Sequence, residues 1–359
     1  MTVRNLVATA LAKPESMLGL SPNEWNFLVR QARSALLLGR LAALLEQRGW
    51  LERVPAGPRG HLMAAATMTR RQHQAVRWEV RCLHRALGAL ATPVILLKGA
   101  AYVLAELPAA QGRVFSDVDI LLPKEQLNQA EAALMLHGWA STHLSAYDQR
   151  YYRKWMHELP PMQHIKRMAV VDVHHAILPE TARLKPNSAK LRAASVALAG
   201  HPQLRVFAPC DMVLHSATHL FHDGELEHGL RDLTDLDSLL RYFGAQPSFW
   251  ETLPRRAVEL DLARPLYYAL RYTQHFLGTP LPQTVLNAAA AGGPSWPLRV
   301  LMDALFARAL RPAHPSANDL FTLPARWLLY LRSHWLRMPL HLLAPHLLRK
   351  ALVKNEGGE

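Results

Sequence analysis

Arg113-Val114-Phe115-Ser116-Asp117-Val118-Asp119-Ile120-Leu121-Leu122 is the stretch on which the reading of this chain turns. Val118 to Leu122 has the β-branched, apolar character of a strand, and Pro123 ends it. Residues two apart in a strand share a face. Asp117 and Asp119 therefore stand side by side, while the residues between and after them supply the buried face. Two carboxylates on one face repel unless a proton or cation sits between them. Oxygen-only ligands suit a hard divalent ion, Mg²⁺ or in its place Mn²⁺.

Downstream, Lys124 to His137 reads as a helix with Gly138 as its C-cap residue, and Tyr147 to His157 is aromatic and basic. Met162 to Ile165 and Met168 to Ile177 pair as a hairpin around Lys166-Arg167. Within Ala169-Val170-Val171-Asp172-Val173-His174, Asp172 stands alone in an apolar strand with no basic neighbour in sequence. A buried, unpaired carboxylate is costly. If this strand lies beside that of Asp117 and Asp119, the three carboxylates could hold one or two metal ions. That is the arrangement for in-line phosphoryl or nucleotidyl transfer. His174 shares the face of Asp172. It either contacts a nucleotide, holds Asp172, or is a partly buried histidine with a backbone partner.

Upstream, Pro93 to Leu97 is a short, wholly apolar run, as expected of a buried strand, and a helix follows over Ala100 to Leu107. Between them sits Lys98-Gly99. Glycine lets a phosphate approach the backbone, a helix N-terminus offers free N–H groups, and Lys98 adds a point charge. Pro108 to Gly112 is a loop. Arg113, four residues before Asp117, is either a triphosphate contact or a loop arginine paired with a nearby carboxylate. Lys98, Gly99, Arg113, Ser116 and His174 are the nucleotide-binding candidates. Asp117, Asp119 and Asp172 are the catalytic and metal candidates. A lone D-x-D is common; strand–Gly–helix followed by a D-x-D strand is far more specific.

These residues resemble the nucleotidyltransferase superfamily of DNA polymerase β. More closely, the chain is similar to a bacterial family of uncharacterised nucleotidyltransferases. That family carries L-K-G, then R-x-x-x-D-x-D before an apolar run, then a V-D-x-H strand. Here these are Leu97-Lys98-Gly99, Arg113 to Asp119, and Val171-Asp172-Val173-His174. The resemblance spans roughly residues 90–240. It implies an α+β fold, a nucleotidyltransferase-type mixed β-sheet core with extensive flanking helical regions, and metal roles for the three Asp residues. The chain departs from the superfamily at Ala100, where a serine usually contacts nucleotide phosphate.

The rest of the chain is helical in character. Ser21-Pro22-Asn23-Glu24 is a capping box with proline at the first helical position. It opens one helix running to Gly49. Pro55 to Gly60 reads as a loop and His61 to Leu90 as a second long helix. From Pro209 the pattern is helical again: Asp211 to His222, Leu230 to Phe243, Glu251 to Leu277 and Pro297 to Leu310. His215, His219 and His222 share one helix face, with Asp232 and Asp235 on the next helix. A zinc site is conceivable there; the reading adopted is an interhelical polar network. The expected division is 1–90 helical, 91–205 nucleotidyltransferase core, 206–320 helical, and 321–359 a basic amphipathic tail.

Half of the 359 residues are hydrophobic and only 19% are charged, which excludes a disordered chain or coiled coil. The net charge of +13 favours polyanionic partners. Cys82 and Cys210 make no disulfide framework, which favours a reducing compartment. Trp327 to Leu348, the most apolar long stretch, carries Arg332, Arg337 and two prolines, and does not read as a membrane span. Residues 320–355 hold no acid. Arg326, Arg332, Arg337, Arg349, Lys350 and Lys354 alternate there with Trp327, Tyr330 and Trp335. Three readings stay open for this tail: packed helices with a basic outer face, an anionic membrane surface, or RNA.

The expected reaction moves an NMP from an NTP to an acceptor hydroxyl and releases pyrophosphate. The acceptor is a protein, an RNA, a sugar or a small molecule, and the compartment is the cytoplasm or the inner face of its membrane. The alternatives are a catalytically silent nucleotide-binding or scaffold protein with the same fold, and a metal-dependent phosphohydrolase.

Overall fold

The computed structural model describes residues 5–90, 92–142, 145–222 and 226–339. The chain begins with helices α1 (Leu6–Ala12), α2 (Pro22–Ser34), α3 (Leu38–Gln47) and α4 (Ala56–Ala86). The Ser21 capping box forms as the sequence predicts: the Ser21 side chain accepts from the Glu24 N–H while the Glu24 side chain accepts from the Ser21 N–H. The expected continuous helix to Gly49 is instead two helices, broken at Leu36, whose φ is +55°. The break seats α3 against the loop before β2. A Cβ on Gly39 would lie 2.7 Å from the Gly112 carbonyl oxygen. α4 begins at Ala56, inside the expected loop, because Pro58 falls in the first turn, where a missing N–H costs nothing.

The central segment holds β1 (Val94–Leu96), α5 (Lys98–Leu104), β2 (Asp117–Leu121), α6 (Leu127–Leu136), β3 (Trp139–Ser141) and α7 (Ala146–Trp155). It continues through β4 (Met162–His164), β5 (Val170–His174), α8 (Ser188–Ala194), β6 (Val196–Leu198) and β7 (His201–Val206). The seven strands form one mixed sheet in the order β3-β4-β5-β2-β1-β7-β6. β2 is its hinge of direction: parallel to β5 on one side, antiparallel to β1 on the other. The hairpin around Lys166-Arg167 is present as β4–β5.

The register of β2 and β5 follows from side-chain chemistry. Val118 pairs with Val171 and Ile120 with Val173, all four buried. A slip of one residue would drive the carboxylates into that apolar face. The other face therefore receives Asp117, Asp119 and Asp172, with Asp119 directly opposite Asp172. α4 packs on α5, α6 and β2.

The C-terminal part comprises α9 (Pro209–His222), α10 (Gly229–Phe243), α11 (Pro247–Glu259), α12 (Ala263–Leu277), α13 (Gln283–Ala290), α14 (Trp296–Ala309) and α15 (Thr322–Arg337). The expected helix Glu251 to Leu277 is two, separated at Asp261, whose φ is +58°. One hydrophobic cluster runs through all three parts, from Leu6 to Leu329.

α15 corrects part of the picture of a basic outer face. Arg332 turns inward, donates to the Phe221 carbonyl near the C-terminus of α9, and stacks on Tyr268 and Phe306. Arg326 donates to the Arg311 carbonyl just beyond α14. Both satisfy carbonyls at or near helix ends that would otherwise be orphaned. Trp327 and Tyr330 stay exposed. Arg349, Lys350 and Lys354 lie outside the described residues. Among the described residues no helix is long and apolar enough to cross a membrane.

Candidate active site

Asp117 opens β2 and Asp119 sits two residues on, buried. Asp172 is the central residue of β5, beside Asp119. The Leu97 N–H donates to the Asp119 carbonyl, which prolongs the β1–β2 pairing to the residue before Lys98. Lys98 then takes a φ of +41°, a left-handed conformation that costs a side-chain-bearing residue about 1–2 kcal/mol. Its ammonium comes to 3.9 Å from the Asp119 carboxylate.

The carboxylates differ in electrostatic state. Burial, and then the charge of Asp119, raises the Asp117 carboxyl above its ordinary range. Burial opposes ionisation of Asp119 too, but the Lys98 ammonium and a hydrogen bond from His174 outweigh it and hold this group well below the usual carboxylate range. Asp172 is pushed up to about 7 by burial, then by the charges of Asp119 and Glu158. Its Oδ1 is shielded from solvent and has no hydrogen-bond partner among the described residues. Three carboxyl groups on one face, two of them destabilised as anions and one with an orphaned oxygen, are a donor set that a hard divalent cation relieves.

The His174 ring sits between two carboxylates. Its Nε2 lies 3.0 Å from Asp119 and its Nδ1 3.1 Å from Glu158. Burial works against its charged form, but Glu158 and Asp119 together raise its pKa. His157, Glu158 and His174 also bring one potential ligand atom each within 4.8 Å of one another. None of the three α9 histidines belongs to such a group among the described residues.

Lys98, Gly99, Arg113, Ser116, Asp117 and Asp119 all line one cavity of about 230 Å³. Asp172 and His174 are not part of its lining. They stand one strand over, coupled to it through Asp119. Gly99 is also a point of close packing within the chain. A Cβ there would lie 2.6 Å from Arg113 Nη1 and 2.9 Å from Phe115, so the glycine makes room for these side chains.

Arg113 is buried, and its Nε donates to Asp235 at 2.5 Å. Burial disfavours its charge, but Asp235 and Asp232 more than restore it and raise its pKa. Asp235 also accepts from Arg40 at 2.8 Å, and Arg40 donates to the carbonyls of Pro108 and Ala109. The loop after α5 is thus pinned by α3 from one side and by α10 from the other. α4 braces the approach to β2: the Gln72 side chain donates to the Phe115 carbonyl, and His73 lies 3.0 Å from the Arg113 carbonyl. Of the expected α9–α10 polar network, His219 stands 3.8 Å from Asp232, which Arg231 of the same helix also bonds, while Asp235 pairs with Arg40 and Arg113. Arg40, Gln72, Glu158, His228 and Arg231 escaped the sequence reading. Arg40 left a trace, as the one charge in the apolar run from Ala35 to Leu45.

A sequence model of the family described as uncharacterised nucleotidyltransferase matches residues 21–278, well over half of the chain. No curated protein and no solved structure matches it. The matched span begins with α2, so it takes in Arg40 and the α4 brace as well as the sheet, and it ends after α12, beyond Asp232 and Asp235. On this match the chain belongs to that family of nucleotidyltransferases.

Proposed function

We propose that the protein transfers an NMP unit from an NTP to an acceptor hydroxyl. The new bond joins the acceptor oxygen to the α-phosphorus, the bond from that phosphorus to the β-phosphate bridge breaks, and pyrophosphate leaves. Asp117, Asp119 and Asp172 would hold Mg²⁺ or Mn²⁺. When bound, such an ion neutralises charge on the polyphosphate and on the attacking and leaving oxygens.

The chain's own residues divide the remaining work. Asp172, opposite Asp119 and with one carboxylate oxygen that has no hydrogen-bond partner among the described residues, receives the proton of the acceptor hydroxyl. His174, held between Asp119 and Glu158, keeps the Asp119 carboxylate fixed in orientation. Lys98 offsets the charge of Asp119 and faces the polyphosphate. Arg113 forms the rigid cavity wall through its pairing with Asp235. The acceptor is a hydroxyl compound of a protein, an RNA, a sugar or a small molecule.

The observation that carries this reading is the register pairing of Asp172 with Asp119, which with Asp117 and Lys98 lines the cavity. The test is incubation with α-labelled NTPs, Mg²⁺ or Mn²⁺ and cell extract. Label transferred to an extract component by the wild type and not by Asp119→Asn supports the reading. Label that is never transferred, with or without extract, refutes it.

A further inference from the structure

The cavity beside Asp117 and Asp119 has a second wall, built by α9 and α10. His219, His228 and Arg231 stand on it, and none of them belongs to the sequence motifs. Arg231 spends only its Nε, on Asp232 at 2.8 Å. Neither of its terminal nitrogens bonds to a described residue. His228 Nδ1 is shielded from solvent and has no hydrogen-bond partner among the described residues. Arg231 brings a positive charge and two terminal N–H groups to the cavity, and His228 brings a shielded ring nitrogen whose unmade bond costs about 1–3 kcal/mol and which donates when it carries the proton; together they suit an anionic acceptor. The neighbouring acid Asp235 cannot serve, because Arg40 and Arg113 already neutralise it.

The size and lining of the cavity narrow the ligand. About 230 Å³ is below the ~300–1,000 Å³ of pockets that enclose a drug-sized molecule. A chain of phosphates fits; a base and ribose do not fit as well. Among the described lining residues, the two six-membered aromatic rings, Tyr102 and Phe115, are buried and offer little face to a base. The phenol of Tyr102 and the ring of Phe115 are both covered by the Arg113 guanidinium, at 5.7 and 5.6 Å.

Resting on the nucleotidyltransferase reading above, we propose that the protein grips its nucleotide by the polyphosphate chain alone, with Arg231 and His228 as binding residues and the base left outside the cavity. Two consequences follow. Inorganic tripolyphosphate is a ligand in its own right, and the four NTPs bind alike.

The experiment is calorimetric titration of the full chain, in Mg²⁺, with inorganic tripolyphosphate and with each NTP in non-hydrolysable form. The wild type is expected to bind tripolyphosphate competitively with NTP, and the four NTPs within about threefold of one another. Arg231→Gln and His228→Gln are each expected to weaken both ligands roughly 10- to 100-fold, the loss of a hydrogen bond to a charged group. Thermal melts verify that the variants are folded. If one unfolds, the other and the wild-type competition decide. A nucleotide that tripolyphosphate does not displace, a preference above a hundredfold for one base, or unchanged affinity in both folded variants overturns the proposal. Tripolyphosphate binding that both variants weaken, without any nucleotidyl transfer, supports it and defeats the transfer reading instead. A wild type that binds neither ligand defeats both.

Discussion

Removing one charge, by Asp172→Asn, separates the electrostatics of the candidate site from its folding. In the metal-free protein the Asp172 carboxyl titrates near 7, against an ordinary value of 3.8. Between about pH 4 and 7 the folded chain keeps a proton on this group that the unfolded chain has released. The folded state therefore binds more protons, and stability falls as pH rises through that window, then levels off above it. At ~1.4 kcal/mol per tenfold change in proton affinity, the full displacement corresponds to about 4 kcal/mol; solvent screening at this partly exposed residue reduces the expectation to about 2–3 kcal/mol. Asparagine keeps the shape and carries no charge at any pH. In urea titrations with EDTA, the stability of Asp172→Asn relative to wild type is expected to climb by that amount between pH 4.5 and 8. Groups that do not interact with Asp172 cancel in the difference; Asp117, Asp119, Glu158 and His174, whose charges act on it, contribute through their own changed titration. Mg²⁺ at pH 8 is expected to recover the deficit in the wild type and to leave the variant almost unmoved, since binding to the folded state alone stabilises by mass action. Two proteins with parallel pH profiles, or equal stabilisation of both by Mg²⁺, would refute the placement of an unpaired, metal-seeking carboxylate at Asp172.

Asp117→Asn is expected to leave the melting temperature equal or higher and to cut pyrophosphate release by orders of magnitude, each ~1.4 kcal/mol of lost transition-state stabilisation being tenfold in rate; full turnover in a folded variant counts against a metal role for Asp117. Lys98→Ala is expected to weaken NTP binding by ~1–3 kcal/mol in a calorimetric titration, and unchanged affinity removes the ammonium from the site. Gly112→Ala and Gly200→Ala form a matched pair, with φ values of +68° and +73°. Both incur the left-handed cost of about 1–2 kcal/mol, but only at residue 112 does the new Cβ meet backbone, 2.3 Å from the Gly39 carbonyl oxygen, for roughly 1–3 kcal/mol more. Equal urea midpoints for the two variants would contradict the close packing of α3 on this loop.

The sequence announces the parts of the site that depend on strand alternation. Asp117, Asp119 and Asp172 interrupt apolar runs with a period of two, and a half-buried sheet leaves them no other common face. The Ser21 capping box and the β4–β5 hairpin are legible for similar local reasons. The β6–β7 pair is not. Val196, Ala197, His201, Pro202 and Gln203 are exposed, and only Leu198, Leu204 and Val206 enter the core, so the strand pattern is too thin to read. The break at Leu36 has no proline to mark it, whereas the one at Asp261 is marked by Pro265 in the first turn of α12, a signal that a helix restarts there. Gly99 was legible as a close approach, but not as an approach by the chain's own Arg113 and Phe115. Which carboxylate pairs with Arg113 could not be read, because Asp235 lies 122 residues away.

The junction at Asp235 also sets an order of assembly. Arg40 and Arg113 leave the ribosome long before their shared carboxylate, which trails Arg40 by 195 residues and Arg113 by 122. Until α10 emerges, Arg40 on α3 and Arg113 before β2 lack the Asp235 counter-charge, and loop closure over such distances is slow compared with local helix formation. Helices α2 to α4 and strands β1, β2 and β5 can gather first, but their arginines stay hydrated until α10 arrives. The cavity that Asp235 lines is thus completed late in synthesis, when nearly two thirds of the chain is already outside. A nascent chain cut before α10 would carry every carboxylate of the motif and no formed site.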